Sequence, residues 1–461
     1  MGKNLLTLKL SEIFSEAVQF YKNNKLKEAE KLFSQILKKL PNHFETIFYL
    51  GQILLKLKNF TEAKKLCEKA IKCKPDFAPS HHNIGQVFKE LGETKKAVEC
   101  YSKAIKLQPN LIASHNNLGN IFKELGENKK AEQSFLNIIK LQPNSFVAYN
   151  NLGIIYQESK EYNKAIENFK KSIKINNNFY MAHYNLGKSY KALSNYKEAI
   201  KCFEIVNTTR SRAELLESVY FSNNLKEYNR VLKKLSKEDY LNLRVATLAT
   251  YVSKKENIYN EYPFCKKPLD YIFIKNLKKD INLPKKFSID LSKALNKLNF
   301  VWQPTTKSTK GGYHTAGNLF NKSDSVISEL EKLIKKNIDI YREKFKLNND
   351  FFISRWPKKS EIEGWHVRLV KKGFQNSHIH PSGWLSGCFY VKIPKKLEKD
   401  KGAIKFTLSG YDYPYDKDLP NFIYTPKIFD IVLFPSSLFH ETIPFDNKDE
   451  RHVIAFDIMP N

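Results

Sequence analysis

Four side chains near the C-terminal end of this chain have types and spacing that suit metal chemistry. His378 and His380 are separated by one residue, His440 follows much later, and Arg451 lies eleven residues beyond His440. Residues two apart in a strand share a face, so the first two imidazoles can point together. Neutral imidazoles suit Fe(II), and three of them leave coordination positions open. Because an arginine can offer a bidentate fork to a carboxylate, the pattern predicts an iron centre with an acidic co-substrate.

Short strands and two helices are the elements that must position these side chains. Strands are predicted at residues 364–370, 385–393, 403–408, 428–434 and 452–458, and helices at 289–298 and 323–345. Helices followed by many short strands favour a sandwich or barrel with a helical buttress. We therefore expect His378 and His380 at the mouth of a barrel, His440 at a strand end and Arg451 where the last strand begins.

The N-terminal half carries a period of 34 residues, repeated six times from residue 10 to about 213. The eighth position of each unit is Ala or Gly and the twentieth is Ala. A proline stands near the end of each of the first four units. Small residues let two helices approach closely, and proline ends a helix. The twenty-fourth position is Cys in one unit and aromatic in the others, which fills the gap between helices: Phe33, Cys67, Tyr101, Phe135, Phe169 and Phe203.

This period and its position-specific residues resemble the tetratricopeptide repeat. The resemblance implies helix pairs stacked into a superhelix with a concave surface that binds a protein or peptide. The sixth position of four successive units is asparagine, and in such a groove each amide can pair with an extended peptide backbone: Asn83, Asn117, Asn151 and Asn185. The alternative is that these asparagines support the local helix or face water. Histidines at the fourth position are expected to pack rather than to bind metal: His81, His115 and His183.

The C-terminal part resembles the Fe(II)/2-oxoglutarate-dependent oxygenases, in the branch with a His-x-His-Pro segment. The likeness lies in residues 378–391, 402–406, 433–440 and 450–456, with 303–306 and 318–320 upstream. It implies a double-stranded β-helix, Fe(II), and oxidative decarboxylation of 2-oxoglutarate to succinate, with ascorbate as a supporting reductant. By the same resemblance His378 and His440 would bind iron, and Arg451 would hold the distal carboxylate of 2-oxoglutarate.

Three further residues are candidates for contacts in this site. Tyr390 and Ser386 are candidates for cofactor binding, although a strand tyrosine is more often part of the core. Arg368 would either meet a carboxylate of the substrate or form an ion pair at the surface.

Two departures from the oxygenase pattern leave the ligand set open. His380 stands where the usual triad has Asp or Glu, and Val453 replaces a serine that many relatives have. His380 can complete a set of three histidines, or it can leave two histidines and water. A third alignment makes His380 the first ligand, with Ser382 in the acidic place. The preferred pair is His378 with His440.

Composition limits the remaining classes of function. The net charge is +29, but nearly all the positive charge is lysine and no arginine precedes Arg210. Because phosphate and base readers favour arginine, we expect no nucleic-acid partner. No run of 18 apolar residues and no signal-peptide core are found, which favours a cytoplasmic protein without a membrane span. The six scattered cysteines are expected to be reduced.

We therefore predict a multidomain chain. An all-α tetratricopeptide superhelix at 10–213 precedes a helical cap and linker at 214–268 and a double-stranded β-helix (jelly-roll) domain with a helical buttress at 269–461. The predicted function is an Fe(II)/2-oxoglutarate-dependent dioxygenase that hydroxylates a protein or peptide captured by the repeats. The alternatives are a non-catalytic scaffold with a degenerate oxygenase-like domain, and an oxygenase acting on a small molecule. No oligomeric state is predicted.

Overall fold

A computed structural model describes residues 2–302, 308–315, 317–321, 324–395, 397–410, 413–414 and 416–461, with side chains from residue 10 onward. The upstream oxygenase-like residues 303–306 lie outside the described residues. The chain divides into two compact units, Met1–Val206 and Asn207–Asn461. This division falls near the predicted boundary at 213 and places the helices predicted as cap and linker in the second unit. The predicted domain limits stay a prediction.

The first unit is built from helix pairs that follow the 34-residue period. Its twelve described helices are α1 (Gly2–Lys22), α2 (Leu26–Lys39), α3 (Phe44–Lys56), α4 (Phe60–Cys73), α5 (Ala78–Glu90), α6 (Thr94–Leu107), α7 (Ile112–Glu124), α8 (Asn128–Leu141), α9 (Phe146–Glu158), α10 (Tyr162–Ile175), α11 (Tyr180–Ala192) and α12 (Tyr196–Val206). Each helix contacts the next one along the chain, so the repeat units pack as a continuous stack. The predicted tetratricopeptide superhelix is confirmed.

In four of the six repeat units, glycine at the eighth position faces an aromatic ring at the twenty-fourth that leaves no room for a Cβ atom. The first repeat unit instead combines Ala17 with Phe33. A Cβ atom added to Gly153 would lie 2.6 Å from the ring of Phe169, which is fully buried. The equivalent glycines of α5, α7 and α11 meet their own aromatic rings at 2.8–2.9 Å. In the second 34-residue repeat, Cys67 replaces the aromatic residue. A Cβ atom on Gly51 would make an ordinary contact of 3.5 Å with the Sγ atom of Cys67. The sequence pattern therefore encodes the closest approach within each helix pair.

Gly153→Ala is expected to lower the free energy of unfolding of the repeat unit by about 1–3 kcal/mol, because the new methyl group overlaps Phe169. Gly51→Ala is the matched control. It is expected to be neutral or to stabilise by about 0.5–1 kcal/mol, since alanine is the better helix former and its methyl group has room. Urea titration followed by helical circular dichroism measures both effects. Equal stability of the two variants would contradict the packing described.

The turns between repeat units are held by the histidines at the fourth position. Each imidazole donates from Nε2 to a backbone carbonyl oxygen six residues earlier, His81 to Pro75 (2.7 Å), His115 to Pro109 (2.9 Å) and His183 to Asn177 (3.0 Å). The prolines of the first four units each follow the end of a helix by two residues: Pro41, Pro75, Pro109 and Pro143. These histidines therefore support the turns through hydrogen bonds to the backbone.

The second unit combines helices with ten described strands. The helices are α13 (Thr209–Phe221), α14 (Leu225–Glu238), α15 (Leu243–Lys255), α16 (Pro284–Asn296), α17 (Ser325–Phe345) and α18 (Phe351–Ser354). The strands are β1 (Phe273–Asn276), β2 (Phe300–Trp302), β3 (Thr309–Thr315), β4 (Ser360–Gln375), β5 (Leu385–Lys392), β6 (Ile404–Thr407), β7 (Asn421–Tyr424), β8 (Asp430–Pro435), β9 (Phe439–Thr442) and β10 (Arg451–Pro460). All five predicted strands are present, with shifted ends, whereas β1, β2, β3, β7 and β9 were not predicted.

The strands form two antiparallel sheets that face each other. The larger has the order β1-β8-β5-β10-β4-β3-β2 and the smaller β7-β6-β9. The core between them joins Val367, Tyr390 and Val453 of the larger sheet to Ile404 and Phe406 of the smaller. Every second residue of β4, β5 and β10 faces this core, as strand geometry requires. The jelly-roll prediction is therefore confirmed.

Helices cover this β-structure in the second unit. Tyr341 of α17 contacts Phe273 of β1, with ring centroids 6.0 Å apart. Thr247 of α15 donates a hydrogen bond to the carbonyl oxygen of Ser437 (2.8 Å), just before β9. The buttress thus includes α15, which was predicted as part of the cap. Among the described residues, no helix combines the length and the apolar composition that crossing a bilayer requires.

Candidate functional site

The site begins where the segment before β5 lies against β9. His378 and His440 form an isolated antiparallel bridge: the amide of His378 donates to the carbonyl oxygen of His440 (3.1 Å), and the reverse bond measures 3.0 Å. Their ring centroids are 4.3 Å apart. The amide of His380 donates to the carbonyl oxygen of Ser436 (3.0 Å), in the turn between β8 and β9. The three imidazoles therefore form one cluster, whose potential ligand atoms lie within 4.8 Å of one another.

The hydrogen bonds at Nδ1 determine which imidazole nitrogen faces the centre of the cluster. Each Nδ1 lies beside an oxygen that can only accept: Asn376 carbonyl for His378 (2.7 Å), Leu438 carbonyl for His440 (3.2 Å) and Asp457 carboxylate for His380 (2.7 Å). Nδ1 therefore carries the proton, and Nε2 carries the lone pair. The Nε2 of His378 also lies 3.3 Å from the hydroxyl of Ser308. The arrangement therefore offers three Nε2 lone pairs as ligands for one cation.

The electrostatic environment keeps the buried member of the cluster neutral. Burial, with the neighbouring His378 and His380 imidazoles, lowers the pKa of His440 well below its ordinary value. A neutral imidazole is the form that binds a metal ion. His440 is therefore available as a nitrogen ligand at physiological pH.

Arg451 supplies a buried cation in the same jelly roll. It is 1% exposed, and its Nη2 donates to the hydroxyl of Tyr390 at 3.4 Å. Its guanidinium lies over the Tyr390 ring, 5.0 Å from the centroid. Within the described part of the chain, its Nε and Nη1 are buried and have no hydrogen-bond partner. Because an uncompensated buried charge is costly, this guanidinium is suited to receive an anion.

A single cavity of about 670 Å³ connects the histidine cluster to the interior of the jelly roll. All three imidazoles line it, together with Trp365 and Phe434. Ala455 and Asp457 of β10 line the cavity. Arg451 has the same parity in β10 and is buried, but it is not among the residues that line the cavity. Arg244 of α15 also lines this cavity, so a helix from the predicted cap contributes to the site.

The structure places Ser386 behind the cluster and not in the cavity. Ser386 is fully buried, its hydroxyl donates to Asp457 Oδ1 (2.6 Å), and it lies 2.8 Å from the hydroxyl of Ser436. A direct contact with a cofactor is therefore not what its position supports. It holds the carboxylate that contacts His380.

Arg368 points away from the cavity. Val367 and Leu369 face the core, so Arg368 between them faces the opposite side of β4. Its Nε donates to Glu450 Oε1 at 2.9 Å and its Nη2 contacts the same oxygen. Of the two predicted roles, the structure provides the ion pair.

Two residues of the site were not singled out in the sequence. Trp365 lies between two imidazoles, stacked on His380 at 5.5 Å and on His314 at 5.8 Å between ring centroids. Asp457 contacts His380 across 77 residues of chain. A signal for Asp457 existed, because it has the same parity as Arg451 in the predicted last strand. No local pattern marks Trp365.

The four asparagines of the repeats differ in exposure. Asn83 and Asn185 are 3% and 8% exposed, and the amide of Asn185 donates to Asn150 Oδ1 at 3.1 Å. Asn117 and Asn151 are half-buried, and Asn117 lines a cavity of about 290 Å³ in the repeat unit. Asn117 and Asn151 are therefore the more accessible candidates for peptide binding.

A stack of helix pairs and a jelly roll that holds three imidazoles and a buried arginine define a repeat protein with a C-terminal β-domain that carries a candidate metal site. Comparison with family models agrees with both parts. The chain carries tetratricopeptide repeats, matched at residues 20–84, 85–126, 112–145, 146–179 and 182–204. Near its C-terminal end, residues 363–457 are matched by the family model described as "Putative 2OG-Fe(II) oxygenase".

Three of the solved structures that are similar to the chain are described as TPR or tetratricopeptide repeat proteins. The C-terminal part of a TPR repeat-containing protein from Cytophaga hutchinsonii is 18% identical, with a TM-score of 0.43, over 49% of this chain and 93% of that one. A tetratricopeptide repeat protein from Parabacteroides merdae is 18% identical, with a TM-score of 0.40, over 49% and 91%. YrrB, a TPR protein with an unusual peptide-binding site, is 21% identical, with a TM-score of 0.33, over 37% and 88%. No curated protein matched the chain.

Proposed function

We propose that the C-terminal unit is an Fe(II)- and 2-oxoglutarate-dependent dioxygenase that hydroxylates a protein or peptide bound by the repeats. One observation carries this proposal: one jelly roll holds both a cluster of three imidazoles and the buried guanidinium of Arg451, whose Nε and Nη1 have no hydrogen-bond partner among the described residues. Imidazole nitrogens are suitable ligands for Fe(II), and a guanidinium matches a carboxylate. The family match points to the same metal and co-substrate.

In this proposal, one group of residues binds the metal and another binds the co-substrate. His378, His380 and His440 hold the metal through Nε2, and Arg451 and Tyr390 hold the distal carboxylate of 2-oxoglutarate. Bound Fe(II) would supply activation of O₂, with one oxygen atom entering succinate as CO₂ leaves and the other converting a substrate C–H bond to C–OH.

The surroundings of Arg451 favour tight binding of the co-substrate carboxylate. Nε and Nη1 are buried N–H donors without a partner in the described residues, and the Tyr390 hydroxyl lies beside Nη2. Hydrogen bonds between charged groups are strengthened where water is excluded. Arg451 and Tyr390 are themselves 1% and 0% exposed, so water is largely excluded from their surroundings.

The proposal is tested by loading the full-length protein with Fe(II) without oxygen and then adding 2-oxoglutarate and air. Succinate that requires iron, 2-oxoglutarate and oxygen together is the expected product, even without substrate, because such centres slowly decarboxylate the co-substrate. Omission of each component is the control. A protein that binds neither Fe(II) nor 2-oxoglutarate while retaining a peptide ligand would instead be a scaffold.

Substrate capture by the repeats leads to a second expected result. Peptides selected against the full-length protein should bind about 30-fold more weakly to Asn117→Ala/Asn151→Ala, since two hydrogen bonds at about 1 kcal/mol each are lost. Asn144→Ala removes an exposed asparagine from the turn before α9 and should leave affinity unchanged. Fluorescence anisotropy of a labelled peptide measures all three proteins. Equal affinities would remove the asparagine positions from the peptide site.

A further inference from the structure

We infer that Asp457 is a positioning residue of the metal site: it fixes His380 as the third nitrogen ligand and supplies the negative charge that the usual triad places on its acidic ligand. This inference rests on the proposed function. It assigns a role to a carboxylate that the family pattern does not place in the first coordination shell.

The contact between Asp457 and His380 is close on both oxygens. Oδ1 and Oδ2 lie 2.7 and 2.8 Å from Nδ1 of His380, and Asp457 is 7% exposed. A carboxylate in this position accepts a hydrogen bond from Nδ1–H, which keeps the proton on Nδ1 and leaves the Nε2 lone pair for the cation. A carboxylate–imidazole pair of this kind also strengthens the imidazole as a ligand.

The carboxylate is itself held in place from the other side. Ser386 donates to Oδ1 at 2.6 Å, and the Ser386 and Ser436 hydroxyl oxygens are 2.8 Å apart. The backbone at Gly383 packs against the same group, since a Cβ atom there would lie 2.7 Å from Ser436 Oγ and 3.2 Å from Asp457 Cγ. Asp457 therefore has a fixed position before any ligand binds.

His380 is constrained in two directions. Asp457 fixes the edge of the imidazole ring, and Trp365 stacks on its face at 5.5 Å with an interplanar angle of 28°. Its backbone amide is bound to the carbonyl oxygen of Ser436. With Nδ1, the ring face and the backbone all fixed, Nε2 is the atom that His380 presents to His378 and His440.

The formal charge of the site supports the same role. Three neutral imidazoles would leave Fe(II) with a charge of two, whereas two imidazoles and one carboxylate leave it with one. Asp457 contacts Nδ1 of His380, on the side of the imidazole away from the proposed metal position. The three histidines together with Asp457 therefore carry the same net charge as the usual triad. Moving the charge outward leaves the inner position to a nitrogen ligand.

The test is metal binding by full-length protein, with Co(II) as the probe under anaerobic conditions. Asp457→Asn keeps the size of the side chain and removes its charge, and affinity is expected to fall about 10- to 100-fold. Asp430→Asn is the matched control. Asp430 is also buried in the jelly roll, but it bonds to Tyr424 and the Lys427 amide (both 2.6 Å), and should leave metal affinity unchanged.

A double-mutant cycle separates positioning from general destabilisation. If Asp457 acts through His380, then His380→Gln and Asp457→Asn together should weaken Co(II) binding no more than His380→Gln alone. Ser386→Ala is expected to cause a smaller loss, and it tests the inference should Asp457→Asn fail to fold. The absorption spectrum of bound Co(II) reports the ligand set in every variant.

The outcomes distinguish this inference from the proposed function. Weak binding by Asp457→Asn with unchanged binding by Asp430→Asn supports the inference. Wild-type affinity in Asp457→Asn, or additive losses in the cycle, would overturn it and leave the proposed function intact. A wild-type protein that binds neither Co(II) nor Fe(II) would overturn the proposed function itself.

Discussion

Arg451→Met is expected to make the cofactor-free protein more stable to heat while weakening 2-oxoglutarate binding about 30-fold or more. The guanidinium is 1% exposed and has two donors without a partner in the described residues, so an apolar side chain of similar size relieves an uncompensated charge. Removal of one partner from a buried charge pair costs about 2–5 kcal/mol of binding. Melting curves with and without 2-oxoglutarate measure both effects on the same sample.

Arg368→Met is the control for these two opposite effects of Arg451→Met, the gain in thermal stability and the loss of 2-oxoglutarate binding. Arg368 is paired with Glu450 on the far side of β4, and its side chain is 33% exposed. Loss of this ion pair is expected to lower the free energy of unfolding by about 0–1 kcal/mol and to leave the affinity for 2-oxoglutarate unchanged. An Arg451→Met protein that melts lower than wild type and binds 2-oxoglutarate normally would contradict the assignment of Arg451 to the co-substrate.

His440→Ala is expected to abolish iron-dependent succinate formation, with a loss of more than about 100-fold, because a directly bound imidazole matters more than its outer-shell partner. His440 is 6% exposed and is the most buried imidazole of the cluster. Succinate is measured after anaerobic loading with Fe(II) and exposure to oxygen. Iron retained after desalting is measured on the same protein.

The control for His440→Ala is His452→Gln. His452 lies on β10 and contacts Glu450 at 3.0 Å, outside the residues that line the cavity. Its replacement should preserve both succinate formation and iron. Circular dichroism excludes unfolding as the cause of any loss. Full turnover by a folded His440→Ala protein would mean that His440 is not a ligand.

The contact of α15 with the site sets the smallest fragment expected to retain activity. Arg244 lines the cavity, and Thr247 donates to the carbonyl oxygen of Ser437, three residues before His440. A fragment that starts at the predicted boundary, residue 269, lacks both contacts. The second compact unit, 207–461, contains them and is the fragment to prefer for work on the oxygenase part.

The repeat half of the fold could be predicted because its contacts are local. Gly153 and Phe169 are sixteen residues apart, and the turn histidines bond to carbonyl oxygens six residues away. Packing within one helix pair therefore appears directly as periodic residue types. The exposure of the asparagines did not follow from the period, because it depends on neighbouring side chains such as Asn150, which pairs with Asn185.

The sequence by itself indicated the three histidines and Arg451 as candidates, together with the last strand, at whose start Arg451 lies, since residue type and alternation are written locally. It did not predict β9, which carries His440, and His378 and His380 lie between β4 and β5 instead of on a strand. The tertiary structure decided how those residues are partnered. The pairing of Asp457 with His380 and of Arg368 with Glu450 spans 77 and 82 residues. Such contacts depend on the register between β10, β4 and β5, and a shift of one residue would turn each side chain to the other face. This register depends on the packing of the whole jelly roll. The partners of His380 and Arg368 could therefore be identified only in the folded chain.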